Sequence, residues 1–504
     1  MSTAQTSLER RALFLGTANA IDYALQFLLP IVLTRALDPH AFGEYRLLWL
    51  AVSTVVAITP MFMSESLYFF LPRSDGETKR LYVHQTMIWL VGAGLLSAWA
   101  LSVLDPFLPA TIHPLAEGNA VTVPLFVLLW IAAYLLDVLP TVEERVRWQA
   151  NVIVTLSVVR AIALSGVALV THALTPVLWT LGAFAAFKLA LLVFYVAREH
   201  GLRGPYFRRD AFTGQVRHAA PFGLSGALHG FRGQADQWVA AALFPVAMFA
   251  SFSIATVIAP MVQLFRQSVN HVFLPSMSRS HSSGDVTAML GLNSRANAIV
   301  ALLVYPLLAF AFVFAAPLVS FIYTPAYLDA VPVMRLYIVA LVAFVVELNS
   351  ILLLLKQGPF AARVNAAVLV VALPLSYFGA LTWGLPGAAV GSVTAVFAER
   401  VASLARISRL VAIPIGRLQD WSTLAGLLAA SALSALAAGV VLSYVTLRPL
   451  AMLAAGGALL AITYPAALYV TGQLRELTQF IASLRNAGVQ PVIYRPARPS
   501  ATAK

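Results

Sequence analysis

Residues 81–104 read LYVHQTMIWLVGAGLLSAWALSVL, twenty-four residues without one Asp, Glu, Lys or Arg. As a helix rising 1.5 Å per residue, such a run is about 36 Å long and crosses a hydrocarbon core of about 30 Å. Backbone entering that core must satisfy its N–H and C=O groups internally, so the run predicts a transmembrane helix. Thirteen similar runs flank it, at 12–34, 46–71, 121–140, 150–171, 175–197, 218–243, 246–266, 296–322, 332–355, 364–382, 386–408, 423–443 and 449–470. A 504-residue chain that is 60% hydrophobic and 11% charged, with mean hydropathy +0.83, cannot bury that much apolar surface in a soluble core. The predicted fold class is all-α: a polytopic membrane protein with about fourteen transmembrane helices.

Eight charged residues are read as lying in the interior of the membrane: Asp22, Glu65, Asp137, Arg160, Lys188, Arg232, Asp236 and Glu347. Each would cost roughly 2.5 to 3.5 kcal/mol facing lipid at mid-bilayer, so all eight are expected to turn inward, and a polar interior crossing the bilayer points to transport.

The net charge of +12 is distributed as a topology signal rather than as a nucleic-acid surface. With the N-terminus in the cytoplasm, the connections on that side carry 26 Lys and Arg residues. The other side carries four, Arg35, Arg46, Arg335 and Arg448. That asymmetry predicts both termini in the cytoplasm. Arg10 and Arg11 precede a first span too long for a signal peptide, so it reads as a retained helix. The basic 198–217 connection is expected to orient the protein and meet lipid headgroups. There is no cysteine, hence no disulfide or thiol chemistry, and no metal or cofactor is expected.

Phe42-Gly43-Glu44-Tyr45 matches Phe249-Ala250-Ser251-Phe252 at an offset of 207, and Phe70-Leu71-Pro72 matches Phe273-Leu274-Pro275 at 203. Two matches in the same order suggest duplicated six-helix halves sharing one orientation, related by an axis along the membrane normal. The expected divisions are an N-terminal lobe (1–200), a C-terminal lobe (201–410), two additional lipid-facing helices (411–472), and a cytoplasmic amphipathic helix and tail (473–504). In that last segment Leu477, Phe480, Ile481 and Leu484 recur at helical spacing.

Four stretches carry a family resemblance: TRALDPHAFGEYRLLWL from Thr34, FRGQADQWVAAALF from Phe231, FLPSMSRSHSSGD from Phe273 and GLPGAAVGS from Gly384. Over residues 10–410 the chain resembles the polysaccharide-repeat-unit (Wzx-like) flippases of the multidrug/oligosaccharidyl-lipid/polysaccharide exporter superfamily. The resemblance implies two rocking lobes in a bacterial inner membrane. They would move a polyprenyl-pyrophosphate-linked oligosaccharide to the outer leaflet during lipopolysaccharide or exopolysaccharide synthesis. Its partners would be that lipid-linked cargo, membrane lipids, and polysaccharide polymerase and chain-length proteins, with no nucleic acid.

Within that frame Arg160, Lys188 and Arg232 are candidates for an anionic headgroup, with Gln26 lining the same cavity. A bland reading pairs them with acids, as Arg232 and Asp236 stand four apart on one predicted helix. Asp22, Asp236 and Glu347 are candidates for coupling or charge balance, because a desolvated carboxyl takes up a proton or cation. Glu65 and Asp137, nearer the cytoplasmic ends, suit gating. Asn349, Trp238 and Tyr337 offer sugar contacts, and spans thirteen and fourteen an apolar groove for a prenyl tail. The alternatives are a cation-coupled drug exporter or a peptidoglycan-precursor flippase. A membrane-embedded glycan polymerase or transferase is more remote: the outer loops are short, with no paired-carboxylate site and no Walker-type phosphate loop.

Overall fold

The computed structural model describes residues 2–104, 119 and 121–471, with only the backbone of 2–13 and 104. The 477–484 helix proposed above lies outside the described residues. Among the described residues there are no strands.

The first half contains α1 (Ser2–Ala36), α2 (Pro39–Ile58), α3 (Met63–Phe70), α4 (Gly76–Leu104), α5 (Thr122–Ala132), α6 (Leu139–Val142), α7 (Val146–Thr171) and α8 (Leu174–Glu199). The second begins with α9 (Arg209–Arg232), α10 (Ala235–Leu243), α11 (Val246–Ala255), α12 (Ile258–Ser282) and α13 (Val286–Val313). It continues through α14 (Ala315–Ile322), α15 (Ala330–Phe344), α16 (Asn349–Leu354), α17 (Gly358–Trp383) and α18 (Leu385–Val411). A short α19 (Ile415–Leu418) leads to α20 (Trp421–Ser443) and α21 (Pro449–Val470).

Among the described residues, twelve helical segments are long and apolar enough to cross a membrane. The predicted spans 218–243 and 332–355 are missing from that set, and each is broken. The first divides at Gly233–Gln234 between α9 and α10, the second at 345–348 between α15 and α16. Span two bends as well: Met61 and Phe62, after Pro60, take left-handed φ values of 48° and 63°, separating α2 from α3. Such interruptions free backbone groups, which a membrane protein tolerates where the break faces protein or a polar cavity.

In the first half α1 packs on α7, α4 on α5, and α8 on both α5 and α7. In the second, α17 packs on α18, α15 on α18 and α12 on α13. The Gly-rich start of α18 has a packing cause. A Cβ on Gly387 would lie 1.9 Å from the Gly379 carbonyl oxygen, and one on Gly391 2.1 Å from that of Ala372. Small residues one turn apart thus let two backbones touch, which substitutes for the missing hydrophobic drive in lipid. α20 rests on α13, and α21 on α20 and α14.

The two halves meet along α2, which touches α11 near its start and α9 toward its end. A Cβ on Gly43 would stand 2.3 Å from the Val246 carbonyl oxygen, and one on Gly230 2.8 Å from the Ala57 Cβ. At the end of the molecule where the basic connections gather, fully buried Gln215 on α9 binds the first half. Its Nε2 donates to Ser66 Oγ and Thr86 Oγ1, both at 2.9 Å, and its Oε1 accepts from Gln85 at 2.7 Å. The segments matched at 207 both lie in this contact between halves. The 203 match differs in local structure: Leu71–Arg73 is a 3₁₀ turn ending a span, whereas Phe273–Pro275 sits inside α12.

A chain of ion pairs in the membrane interior

In the first half Asp22 of α1 meets α7. Its carboxylate lies 3.3 Å from Arg160 Nη2, accepts from Ser157 Oγ at 2.5 Å and from Gln26 Nε2 at 2.7 Å. Asp22, Arg160 and Gln26 are therefore one cluster. Nearer the basic end, Lys188 Nζ on α8 stands 2.7 Å from Asp137 Oδ2 and 4.8 Å from the centroid of the Trp130 ring. Glu65 on α3 accepts from Tyr134 Oη at 2.9 Å. Each predicted charge of this half thus has a partner from another element.

The second half departs from the predicted pairing. Arg232 and Asp236 do not satisfy each other, because the break at Gly233–Gln234 ends the helical register that would align them. Arg232 instead turns to Glu399 on α18, Nη1 to Oε2 2.8 Å. Asp236 is buried and accepts from Tyr337 Oη and, at 2.8 Å, from the Gln237 N–H. Tyr337 is thus engaged by a carboxyl, and Trp238 donates to Thr54 Oγ1 at 2.9 Å across the contact between halves.

Glu347 sits in the α15–α16 break, and the surroundings account for the freed backbone. Asn293 Nδ2 donates to its carbonyl oxygen at 3.0 Å, and its N–H donates to Asn297 Oδ1 at 2.9 Å. The side chain accepts from the Asn349 and Ser350 N–H groups at 2.7 and 3.2 Å and pairs with Arg266 of α12. A carboxylate, two asparagines and an arginine hold a bent segment in place, although Asn293 Oδ1 and Arg266 Nε are left without hydrogen-bond partners.

Arg266 and Arg400 both lie against the Phe344 ring, 4.0 and 5.1 Å from its centroid. Arg400 is 5% exposed, and its Nε and Nη1 have no hydrogen-bond partner. Among the described residues it makes no ion pair, unlike the similarly buried Lys188 and Arg266. Arg266 was missed as an interior charge because hydropathy ends span eight at that residue, whereas Glu399 and Arg400 lie inside span 386–408 and are hidden by reading Arg400 with the basic connection that follows. The helices run on to Ser282 and Val411, and moving the two arginines indoors leaves the basic asymmetry at 24 against 4 (26 − 2). The continuing helical sequence after Arg266 was the available signal.

A profile of the polysaccharide biosynthesis protein family matches residues 32–332, more than half the chain. The chain belongs to that family. Among solved structures, this family member is similar to the lipid II flippase MurJ in an inward closed conformation. The TM-score is 0.71 at 14% identity, over 92% of this chain and all of that one. It is also similar to an inward-facing multidrug resistance MATE family transporter of the MOP superfamily, with TM-score 0.58, 14% identity, 77% of this chain and 96% of that one. At such identities the likeness is one of fold. No curated protein matches it in sequence.

Proposed function

We propose that the protein is a flippase, not an enzyme, and that it carries a polyprenyl-diphosphate-linked oligosaccharide from the cytoplasmic to the outer leaflet of a bacterial inner membrane. The cargo would serve lipopolysaccharide or exopolysaccharide synthesis, with polymerase and chain-length proteins downstream. Family membership and fold support a transporter of this class, and Arg400 is the observation that favours an anionic cargo. Buried carboxyls such as Asp236 can escape their desolvation cost by taking a proton, but a guanidinium stays charged and must find an anion. Among the described residues Arg400 has no ion-pair contact of its own, the neighbouring Glu399 being engaged by Arg232, and Arg266 packs against the same Phe344 ring. A diphosphate or acidic sugar supplies the missing charge, with bidentate geometry suited to arginine.

In this reading the lobes 1–200 and 201–410 rock about α2, with the basic connections on the cytoplasmic side. Arg160, Lys188 and Arg232, each engaged by a carboxylate, exchange partners as the cargo passes. Asp22 and Asp236 are the candidates for coupling to a cation gradient, Glu347 balances Arg266, and Glu65 and Asp137 serve the cytoplasmic gate. α20 and α21, with apolar outer surfaces, accommodate the prenyl tail.

The test is deletion of the gene, followed by identification of the lipid-linked glycan that builds up on the cytoplasmic leaflet. Accumulation of an oligosaccharide on polyprenyl diphosphate is expected. Raised drug sensitivity with no such accumulation overturns the reading, and accumulation of the peptidoglycan precursor transfers it to that cargo.

A further inference from the structure

The α8–α9 connection, residues 200–208, has no regular secondary structure yet is held firmly. Buried His84 on α4 lies within reach of two of its carbonyls, Nε2 to Gly201 O 3.1 Å and Nδ1 to Pro205 O 3.3 Å. Tyr206 stacks on the same imidazole at 5.3 Å. His200 Nε2 sits 2.6 Å from Glu143 Oε1, and Gly201 and Gly204 supply the positive φ values of 76° and 147° that fold the segment back toward Arg80.

This fold leaves arginines over. The nearby acids are committed: Glu143 takes His200 and Tyr195, and Glu199 takes both terminal nitrogens of Arg145. Arg80, Arg198 and Arg203 then line one cavity of about 530 Å³ together with His200. Arg198 has only a 3.8 Å approach to Glu199, and Arg80 and Arg203 have no hydrogen bond or ion pair among the described residues. Beside the cavity Leu202, Tyr206 and Phe207 are each half exposed or more. Apolar and aromatic side chains interleaved with arginine at the edge of a membrane protein match the headgroup zone, where rings sit among acyl chains and guanidinium groups meet phosphate. A soluble anion would use the arginines and leave the apolar group unexplained.

We propose that this cavity binds the phosphate headgroup of an anionic lipid in the cytoplasmic leaflet. Arg80, Arg198 and Arg203 contact the phosphate oxygens, and the lipid chains lie along Leu202, Tyr206 and Phe207. The site uses none of the interior charges and does not depend on the cargo reading. Two lipids present this chemistry, a bilayer phospholipid and a polyprenyl diphosphate.

Native mass spectrometry of the detergent-purified full chain separates them, using phosphatidylglycerol, undecaprenyl diphosphate and, as the zwitterionic control, phosphatidylcholine, each added alone. Anionic adducts are expected to exceed phosphatidylcholine adducts about tenfold, and Arg80→Gln/Arg203→Gln to abolish most of that excess, in line with two headgroup-contacting cations. Arg80→Lys/Arg203→Lys should restore part of it. Arg209→Gln/Arg217→Gln removes equal charge from the adjoining surface and should change little. An excess lost only for phosphatidylglycerol names the bilayer as source, and one lost only for undecaprenyl diphosphate names the cargo on its way in. Equal retention of phosphatidylcholine, full retention by a correctly melting Gln double variant, or the same loss in Arg209→Gln/Arg217→Gln overturns the site.

Discussion

Arg46 on α2 donates from Nε to Ser253 Oγ on α11 at 3.0 Å, and the two residues are 207 positions apart. That is the offset relating Phe42–Tyr45 to Phe249–Phe252. Positions matched by the repeat therefore touch, as they do where corresponding helices flank an axis relating two halves. The contact lies at the end opposite the basic connections, while Gln215 joins the halves at the basic end, so separation at either end has to break a specific set of bonds.

Gly43→Val tests the first set. Its side chain would enter the space held by the Val246 carbonyl, 2.3 Å from any Cβ at position 43. Overpacking of this kind costs about 1–3 kcal/mol. The variant should melt lower and spend more time parted at that end. A cysteine at Ser253, in a chain that otherwise has none, should then react faster with a membrane-impermeant maleimide. Unchanged labelling would show that α2 and α11 do not part there.

The α2–α9 contact can be locked as well. Ala57 and Gly230 face each other with a Cβ separation of 2.8 Å, about 1 Å under that of a relaxed disulfide, so a small outward shift admits the bond. Ala57→Cys/Gly230→Cys should transport under reducing conditions, stop when oxidised and recover with dithiothreitol. Transport that continues after complete cross-linking excludes any mechanism in which α2 and α9 separate.

The Glu143–His200 contact predicts an acid limit. Burial pushes the Glu143 carboxyl up, but hydrogen bonds from His200 and Tyr195 outweigh it and hold the group below its ordinary value. A depressed folded-state pKa contributes stability above the unfolded value of about 4.3, lost as pH falls through the folded value. Glu143→Gln should therefore melt lower than the parent at pH 7, with the gap closing only below about pH 4.3. A gap that closes between pH 7 and 5 would assign it to another group.

Helix class and the membrane were legible because the bilayer leaves so few solutions: spanning backbone must be helical, and a charge facing lipid is costly, which is what singles out residues such as Glu347. Partner choice was not legible. Arg232 is one turn from Asp236 in sequence, yet a two-residue break sends it to Glu399, 167 positions away. Arg266 and Arg400 were misplaced for a different reason. Hydropathy locates the edge of an apolar run, not the end of a helix: α12 runs on to Ser282 past the edge at Arg266, whereas Arg400 lies inside the predicted span 386–408 and is hidden by reading it with the connection after it.

Arg400 and Arg266 should separate stability from transport. Removing Arg266 strands the Glu347 carboxylate at the α15–α16 break, and breaking a buried pair costs about 3–5 kcal/mol, so Arg266→Met should melt far below the parent. Arg400→Met strands nothing. It gives up a contact with Phe344 worth about 2 kcal/mol, and it relieves both the desolvation of an unpaired cation and its repulsion from Arg266. Its melting temperature should hold or rise. If the unpaired guanidinium awaits an anionic headgroup, the same variant should lose flipping of the lipid-linked glycan in reconstituted vesicles, with Arg400→Lys keeping part. A stable Arg400→Met that still flips at the parent rate shows that the cargo does not use this charge. A variant that flips normally but melts low shows that Arg400 is a packing residue whose cost is met by Phe344.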